Sequence, residues 1–317
     1  MKLLLAIVLA LGSAAAHAQG YPARPVKIVV AFSPGGGTDI VARVLGQKLG
    51  EIWGQQVIVE NRAGASGTIG TEYAAKSAPD GYTLFMGTLG NLSVNKHLYP
   101  KMTVDPIRDF APITKVVDVY FVLVAHPSVP AKTVQELIDL AKSKPGFVTY
   151  GSSGPGGAPH LAAELFKRMA GVDMTHVPYK ASAQSFQDLL GGQVMITMDS
   201  QIQALPYIRD GRLRALGVLS SQRSAQLPDV PTIAETVPGY ELTNWFGLVA
   251  PAATPKEILV TISTDVHKAL QDQGLRDKIS ALSAAVVGDT PEQFGATMRA
   301  DSEKWARVIR EANIKAE

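Results

Sequence analysis

The segment Ser33-Pro34-Gly35-Gly36-Gly37-Thr38-Asp39 follows an apolar run, Val26 to Ala31, and precedes Ile40, Val41, Val44, Leu45 and Leu49, which recur at helical spacing. That order is strand, glycine turn, helix. It leaves the first N–H groups of a helix without internal partners at the positive end of the helix dipole, and this suits an anion. A second turn, Gly151-Ser152-Ser153-Gly154-Pro155-Gly156-Gly157, again sits between a strand and a helix. The candidate binding residues are therefore Ser33, Gly35, Gly36, Gly37, Thr38 and Asp39 in the first turn. In the second they are Ser152, Ser153, Gly154, Gly156 and Gly157, where the two hydroxyls add donors. The alternative for either turn is a plain βα connection, with glycines chosen for backbone freedom. The first turn is neither the dinucleotide fingerprint nor a P-loop, so a carboxylate suits it better than a nucleotide phosphate.

Other residues join these with competing roles. His160, in the first turn of a helix, faces a ligand or packs and caps. Thr88 and Asn91 follow the strand Tyr82–Gly87 and offer neutral donors, unless Asn91 serves as a helix N-cap. Tyr179 and Lys180 follow another strand; Tyr179 suits a cleft aromatic, and Lys180 pairs a carboxylate or is a solvated surface charge. Asp199 accepts a hydrogen bond from a ligand amine or hydroxyl, or caps the helix beginning near Gln201. Catalysis finds little support, since neither a G-x-S-x-G elbow nor H-E-x-x-H occurs. His97, His126, His160, His176 and His267 show no metal-ligand spacing, so no metal is expected. The chain has no Cys, which excludes thiol nucleophiles, disulfides, zinc-thiolate sites and iron–sulfur clusters.

Residues Met1 to Ala18 read as a secretory signal. Lys2 gives the positive start, Leu3 to Leu11 the apolar segment, and Ala16-His17-Ala18 the small-x-small site, with cleavage expected after Ala18. A periplasmic location follows as an expectation. The chain after that point has 299 residues (317 less 18), large enough to split into two units. The formal charge of the whole chain is +2, one of which is Lys2, and no basic run occurs. Nucleic acid is therefore not an expected partner, and anion binding must be local.

Strand and helix patterns alternate along the chain, which points to an α/β protein with parallel sheets flanked by helices. Expected strands include Val26–Ala31, Gln56–Glu60, Tyr82–Gly87, Tyr120–Ala125, Phe147–Tyr150, Val194–Met198 and Leu242–Ala250. Expected helices include Thr38–Gly50, with Thr38 as N-cap, and Ala158–Ala170, Ser182–Leu190, Gln201–Asp210, Pro255–Asp272 and Thr290–Ala312. Two lobes are expected, each a mostly parallel sheet: residues 19–124 plus 242–317, and an inserted 125–241. The chain would cross between them near Ala125 and near Asn244, forming a hinge. Both glycine turns lie at carboxyl ends of strands, where ligands of open α/β sheets sit.

Several motifs resemble one family in order and spacing. Tyr21-Pro22-x-Arg24-Pro25, Phe32-x-Pro34-Gly35-Gly36-x-Thr38-Asp39, Val59-Glu60-Asn61-Arg62 and Pro79-Asp80-Gly81-Tyr82-Thr83-Leu84 open the series. Leu98-Tyr99, Asp109-Phe110, His160-Leu161, His176-Val177-Pro178-Tyr179-Lys180, Leu227-Pro228-Asp229-Val230-Pro231-Thr232 and Trp245-x-Gly247 complete it. Over essentially all of the expected mature chain the sequence resembles the solute receptors of tripartite tricarboxylate transporters, also called Bug proteins.

The resemblance implies a two-lobed periplasmic-binding-protein fold, type II-like, with a hinged cleft and no metal or prosthetic group. It implies a carboxylate held by Phe32 to Asp39, Thr88 to Asn91, Ser152 to Gly157 and Tyr179 to Ala181, with Asp199 nearby. Membrane permease subunits are the implied partners of a monomeric receptor. Ala181 stands where many members have Gly, Gln184 where Pro is usual, Ser185 where Ala is usual, and Met195 where an acidic residue is common. Two other readings stay open: a receptor presenting its ligand to a membrane kinase, and a periplasmic hydrolase using Ser33 or Ser152.

Overall fold

The structure is a computed structural model and describes residues 20–311 and Ile314. The expected leader lies outside the described residues. In chain order the strands are β1 (Val26–Val30), β2 (Val57–Asn61), β3 (Thr83–Thr88), β4 (Phe110–Val119), β5 (Phe121–Ala125), β6 (Thr149–Ser152), β7 (Thr175–Pro178), β8 (Ile196–Ser200), β9 (Arg214–Val218), β10 (Asn244–Pro251) and β11 (Ala284–Val286). They form two sheets, one per lobe. The first has the order β11-β4-β10-β3-β1-β2, the second β7-β6-β8-β5-β9.

Both sheets are mixed, which corrects the mostly parallel sheets expected. β1 runs parallel to β2 and β3, and β6 parallel to β7 and β8. β10 is antiparallel to β3 and β4, and β5 is antiparallel to β8 and β9. The antiparallel strands β4, β5 and β10 are those flanking the crossings between lobes. The first crossing falls at Tyr120 rather than near Ala125, because β5 pairs wholly in the second sheet. The return enters β10 at Asn244.

Strand β5 shows why its sequence is apolar throughout. Phe121, Leu123 and Ala125 join the larger hydrophobic cluster, while Val122 and Val124 join a separate one with Phe186, Leu189 and Leu205. Successive side chains point to opposite faces, and both faces are covered. In the first lobe Gly247 serves close packing: a Cβ there would lie 2.0 Å from the Phe294 ring. The helix Pro291–Glu311 thus lies against β10, and Asp301 Oδ2 accepts the Trp245 indole N–H at 2.7 Å.

Several elements of the first lobe have no counterpart in the sequence reading, among them β4, the helix Gln273–Ala281 and β11. The helix Gly37–Trp53 starts one residue early, with Gly36 as its N-cap instead of Thr38. Among the described residues, no helix is long and apolar enough to cross a membrane.

Candidate ligand-binding site

Four helices begin at one cleft between the lobes. They start at Gly37 in the first lobe and at Ala158, Ser182 and Gln201 in the second, and residues of each first turn or its cap line the cleft. Ser200 caps its own helix by accepting the Ile202 N–H at 3.1 Å. The other three N-caps, Gly36, Gly157 and Ala181, supply no side-chain cap. Three helices therefore bring first-turn N–H groups and positive dipole ends to one cavity with no capping side chain in the way. Each such end is worth roughly 0.3–1 kcal/mol to an anion, and up to about 2 when partly buried. Together they account for part of the roughly 8 kcal/mol of micromolar binding, so individual hydrogen bonds and apolar contact must supply the rest.

The cavity holds about 50 Å³, several times the roughly 10–15 Å³ that one water needs. Its walls are aromatic and small: Phe32 and Phe246 from the first lobe, Phe121 beside the crossing, and Ala158, Pro159 and Ala181 from the second. Among the described residues neither Lys nor Arg lines it, and Asp199 is the one ionisable residue that does.

Of the residues singled out in the sequence, Phe32, Ser33, Gly36, Gly37, Thr38, Thr88, Ser153, Ala181 and Asp199 meet in this cavity. Gly36 has a φ of −77°, and a Cβ there would find only the Ser33 carbonyl, at 3.6 Å. A Cβ on Gly37 would come within 3.4 Å of Ser200 Oγ and 3.5 Å of Ile202, so the first turn touches the second lobe directly.

The remaining candidates build the turns. Asp39 turns back under the first one: it accepts the Gly35 N–H at 2.9 Å and bonds Asn61 and Arg43. Burial pushes its carboxyl upward, but the bonds from Arg43, Gly35 and Asn61 outweigh this and hold it below the usual range. The N–H of Gly35 is thereby used within the chain. Asn91 is fully buried and accepts the Thr88 hydroxyl at 3.0 Å, inside the π-helical segment Gly90–Val94. It does not cap a helix.

The second turn is held in a similar way. Ser152 is fully buried; its Oγ accepts the Gly154 N–H and lies 2.7 Å from His176 Nε2. His160 Nδ1 accepts the Gly156 N–H at 3.0 Å, and its ring stacks on His176 with centroids 4.3 Å apart. Burial drives the His160 imidazole down to about 4, so it is neutral and can accept. Gly154 and Gly156 have φ of +101° and +78°, a region that favours glycine. Gly156 packs on Leu98 of the first lobe, while Gly157 serves as an N-cap. Tyr179 points away and donates to Asp188 Oδ2 at 2.7 Å, and Lys180 is exposed.

Sequence reasoning missed Ser182, Ser200, Gln203, Asn244, Phe121 and Phe246, all of which line the cleft. Phe246 sits inside Trp245-x-Gly247, and Asn244 directly precedes that motif. The Ser152–His176 pair has hydrogen-bond length, but Ser152 is buried outside the cleft, and no histidine lines it.

The model of the tripartite tricarboxylate transporter family receptor matches residues 41–314. The chain belongs to this receptor family. It is 39% identical to Protein BugT of Bordetella pertussis over 305 residues, covering 96% of this chain and 94% of that protein. R. palustris Rpa4515, solved with adipate, superposes with a TM-score of 0.90 at 38% identity, over 93% of this chain and 99% of that one. MatC (Rpa3494) from Rhodopseudomonas palustris, solved with bound malate, gives 0.87 at 31% identity, over 91% and 100%. The two sheets and the cleft between them are the two-lobed periplasmic-binding-protein fold that the receptor family shares. Receptors of this family bind solutes.

Proposed function

We propose that this chain is a periplasmic receptor that captures a small carboxylate between its lobes and delivers it to the membrane subunits of a tripartite tricarboxylate-type transporter. The observation that carries this reading is the convergence of three helix N-termini without side-chain caps on a cleft that no basic side chain among the described residues lines. Such a site recognises charge through N–H groups and dipoles. Relatives solved with adipate and with malate support a carboxylate as the ligand. The expected leader, cleaved after Ala18, supports the compartment.

In this reading the N–H groups at Gly36, Gly37 and Thr38 hold the carboxylate. Ser153 and Ser182 close on it from the second lobe. The hinge lies at Tyr120 and just before Asn244. Ligand touches both lobes only when they meet, so its differential affinity for the closed form drives closure. Neutral donors to the carboxylate also favour release at the permease, since no formal ion pair to it has to be broken.

The test is a thermal-shift screen of residues 19–317, first unfolded and refolded to strip carried ligand, against small mono-, di- and tricarboxylates. A ligand that binds only the folded state raises the melting temperature by mass action. At least one acid should do so, and a folded protein that answers to none would sink the proposal.

A further inference from the structure

We propose that the acid selected by this receptor carries a hydrogen-bond donor, a hydroxyl or a protonated amine, at the end facing Asp199. This rests on the receptor reading above and narrows its substrate class.

Six buried side-chain N or O atoms among the described residues have no hydrogen-bond partner. Three of the six, Asp199 Oδ2, Gln203 Oε1 and Asn244 Oδ1, belong to residues lining this one cavity. All three are oxygens. They come from three separate elements: the end of β8, the first turn of the Gln201 helix, and the start of β10. Asp199 and Asn244 are each only 3% exposed. Buried acceptors without donors are costly and rare in folded proteins, and their meeting on one cavity marks the place of a donor brought by the ligand.

The cleft is thus polarised. The Gly37 helix presents N–H groups to a carboxylate. Around Asp199 the cleft presents acceptors. Asn244 and Gln203 are amides, able to show either end, whereas ionised Asp199 only accepts and so fixes the sense. Its other oxygen already takes the Ser200 N–H at 2.6 Å. Burial pushes the Asp199 carboxyl up to about 6, against smaller downward pulls from the Ser182 hydroxyl and the Ser200 N–H. A plain diacid would set its second carboxylate against that of Asp199, and like charges at close range repel. An ammonium or hydroxyl would fill the gap.

The experiment is calorimetric titration of refolded residues 19–317 at pH 7.5 with matched acids: succinate, malate and aspartate, then glutarate, 2-hydroxyglutarate and glutamate. In at least one set a donor-bearing acid should bind tenfold or more tightly than its plain parent. The hydroxy and amino arms separate the two donors. Asp199→Ala, checked for folding by its melting curve, should erase that preference, the donor-bearing acid losing at least tenfold relative to its plain parent. Gln203→Met, a milder change, should weaken the donor-bearing acid severalfold relative to its parent. Equal or tighter binding of the plain parent in both sets overturns the inference and spares the receptor reading. Silence from every acid overturns both.

Discussion

The hydroxyl of Tyr99, in the first lobe, donates to the carbonyl of Pro155, in the second glycine turn. The mouth of the cleft is closed by this bond and by two close approaches: Gly154 against Ser66 and Gly156 against Leu98. None of these groups lines the ligand cavity, so the latch is separable from the site. Tyr99→Phe should shift the lobes toward the open form at a cost of about 0.5–1.5 kcal/mol, the net worth of one hydrogen bond. Ligand affinity measured by calorimetry should then fall roughly two- to tenfold. An unchanged dissociation constant would show that Tyr99 plays no part in closure.

Gly36 offers a change that touches the site alone. Its φ of −77° is open to any residue, and only the Ser33 carbonyl lies within 4 Å of an added Cβ. A side chain there enters the cavity instead of the core. Gly36→Val should melt within a few degrees of wild type by circular dichroism, and it should bind no carboxylate. Undiminished affinity in the folded variant would remove the first turn from the site.

Gly156 tests closure by contrast with Gly171. Both have left-handed backbones, with φ of +78° and +63°. An added Cβ at Gly156 would lie 2.7 Å from Leu98 and 3.0 Å from Asn95, across the lobe boundary, whereas at Gly171 it meets nothing. Each alanine costs roughly 1–2 kcal/mol of backbone strain. Gly171→Ala should therefore lower stability and leave ligand affinity alone. Gly156→Ala should lower both, since its clash exists only when the lobes meet. Equal affinities in the two variants would contradict a closed mouth.

The pH dependence contains two opposed contributions. Asp199 titrates near 3.8 unfolded and is raised by burial to about 6, so its share of stability is present below pH 4 and is lost as pH rises through 6. His160 titrates near 6.5 unfolded and is lowered by burial to about 4, so its share is present above 6.5 and is lost as pH falls through 4. Each amounts to about 3 kcal/mol. They nearly cancel between pH 4 and 6. Removing either should expose the other. Asp199→Asn should make stability, read from urea unfolding, rise with pH more steeply than wild type across that window. His160→Gln should make it fall more steeply. Parallel profiles for wild type and both variants would contradict the burial of these groups.

Much of the fold was legible because its punctuation is local. Ala158–Ala170 and Ser182–Leu190 are the helices that Gly157-Ala158-Pro159 and the 3.6 period prescribe. Strand β4 was not legible: Pro112 interrupts it, and irregularities in its pairing with β10 break the two-residue alternation. The two glycine turns and Asp199 stood out by type and spacing. The division of labour within them did not, because it depends on three-dimensional partners. Asp39 and His160 look like binding groups in one dimension, yet each spends its acceptors on a turn N–H four residues back. Asn244 and Gln203 had no local signal at all, since an unpartnered oxygen is visible only when three separate elements meet.

The most direct test of carboxylate capture between the lobes is small-angle X-ray scattering of refolded residues 19–317 with and without the acid giving the largest thermal shift, beside that acid's uncharged amide. The radius of gyration should shrink at saturating acid and stay at the free value with the amide. An unchanged radius at saturation, or the same contraction with the amide, would contradict the account.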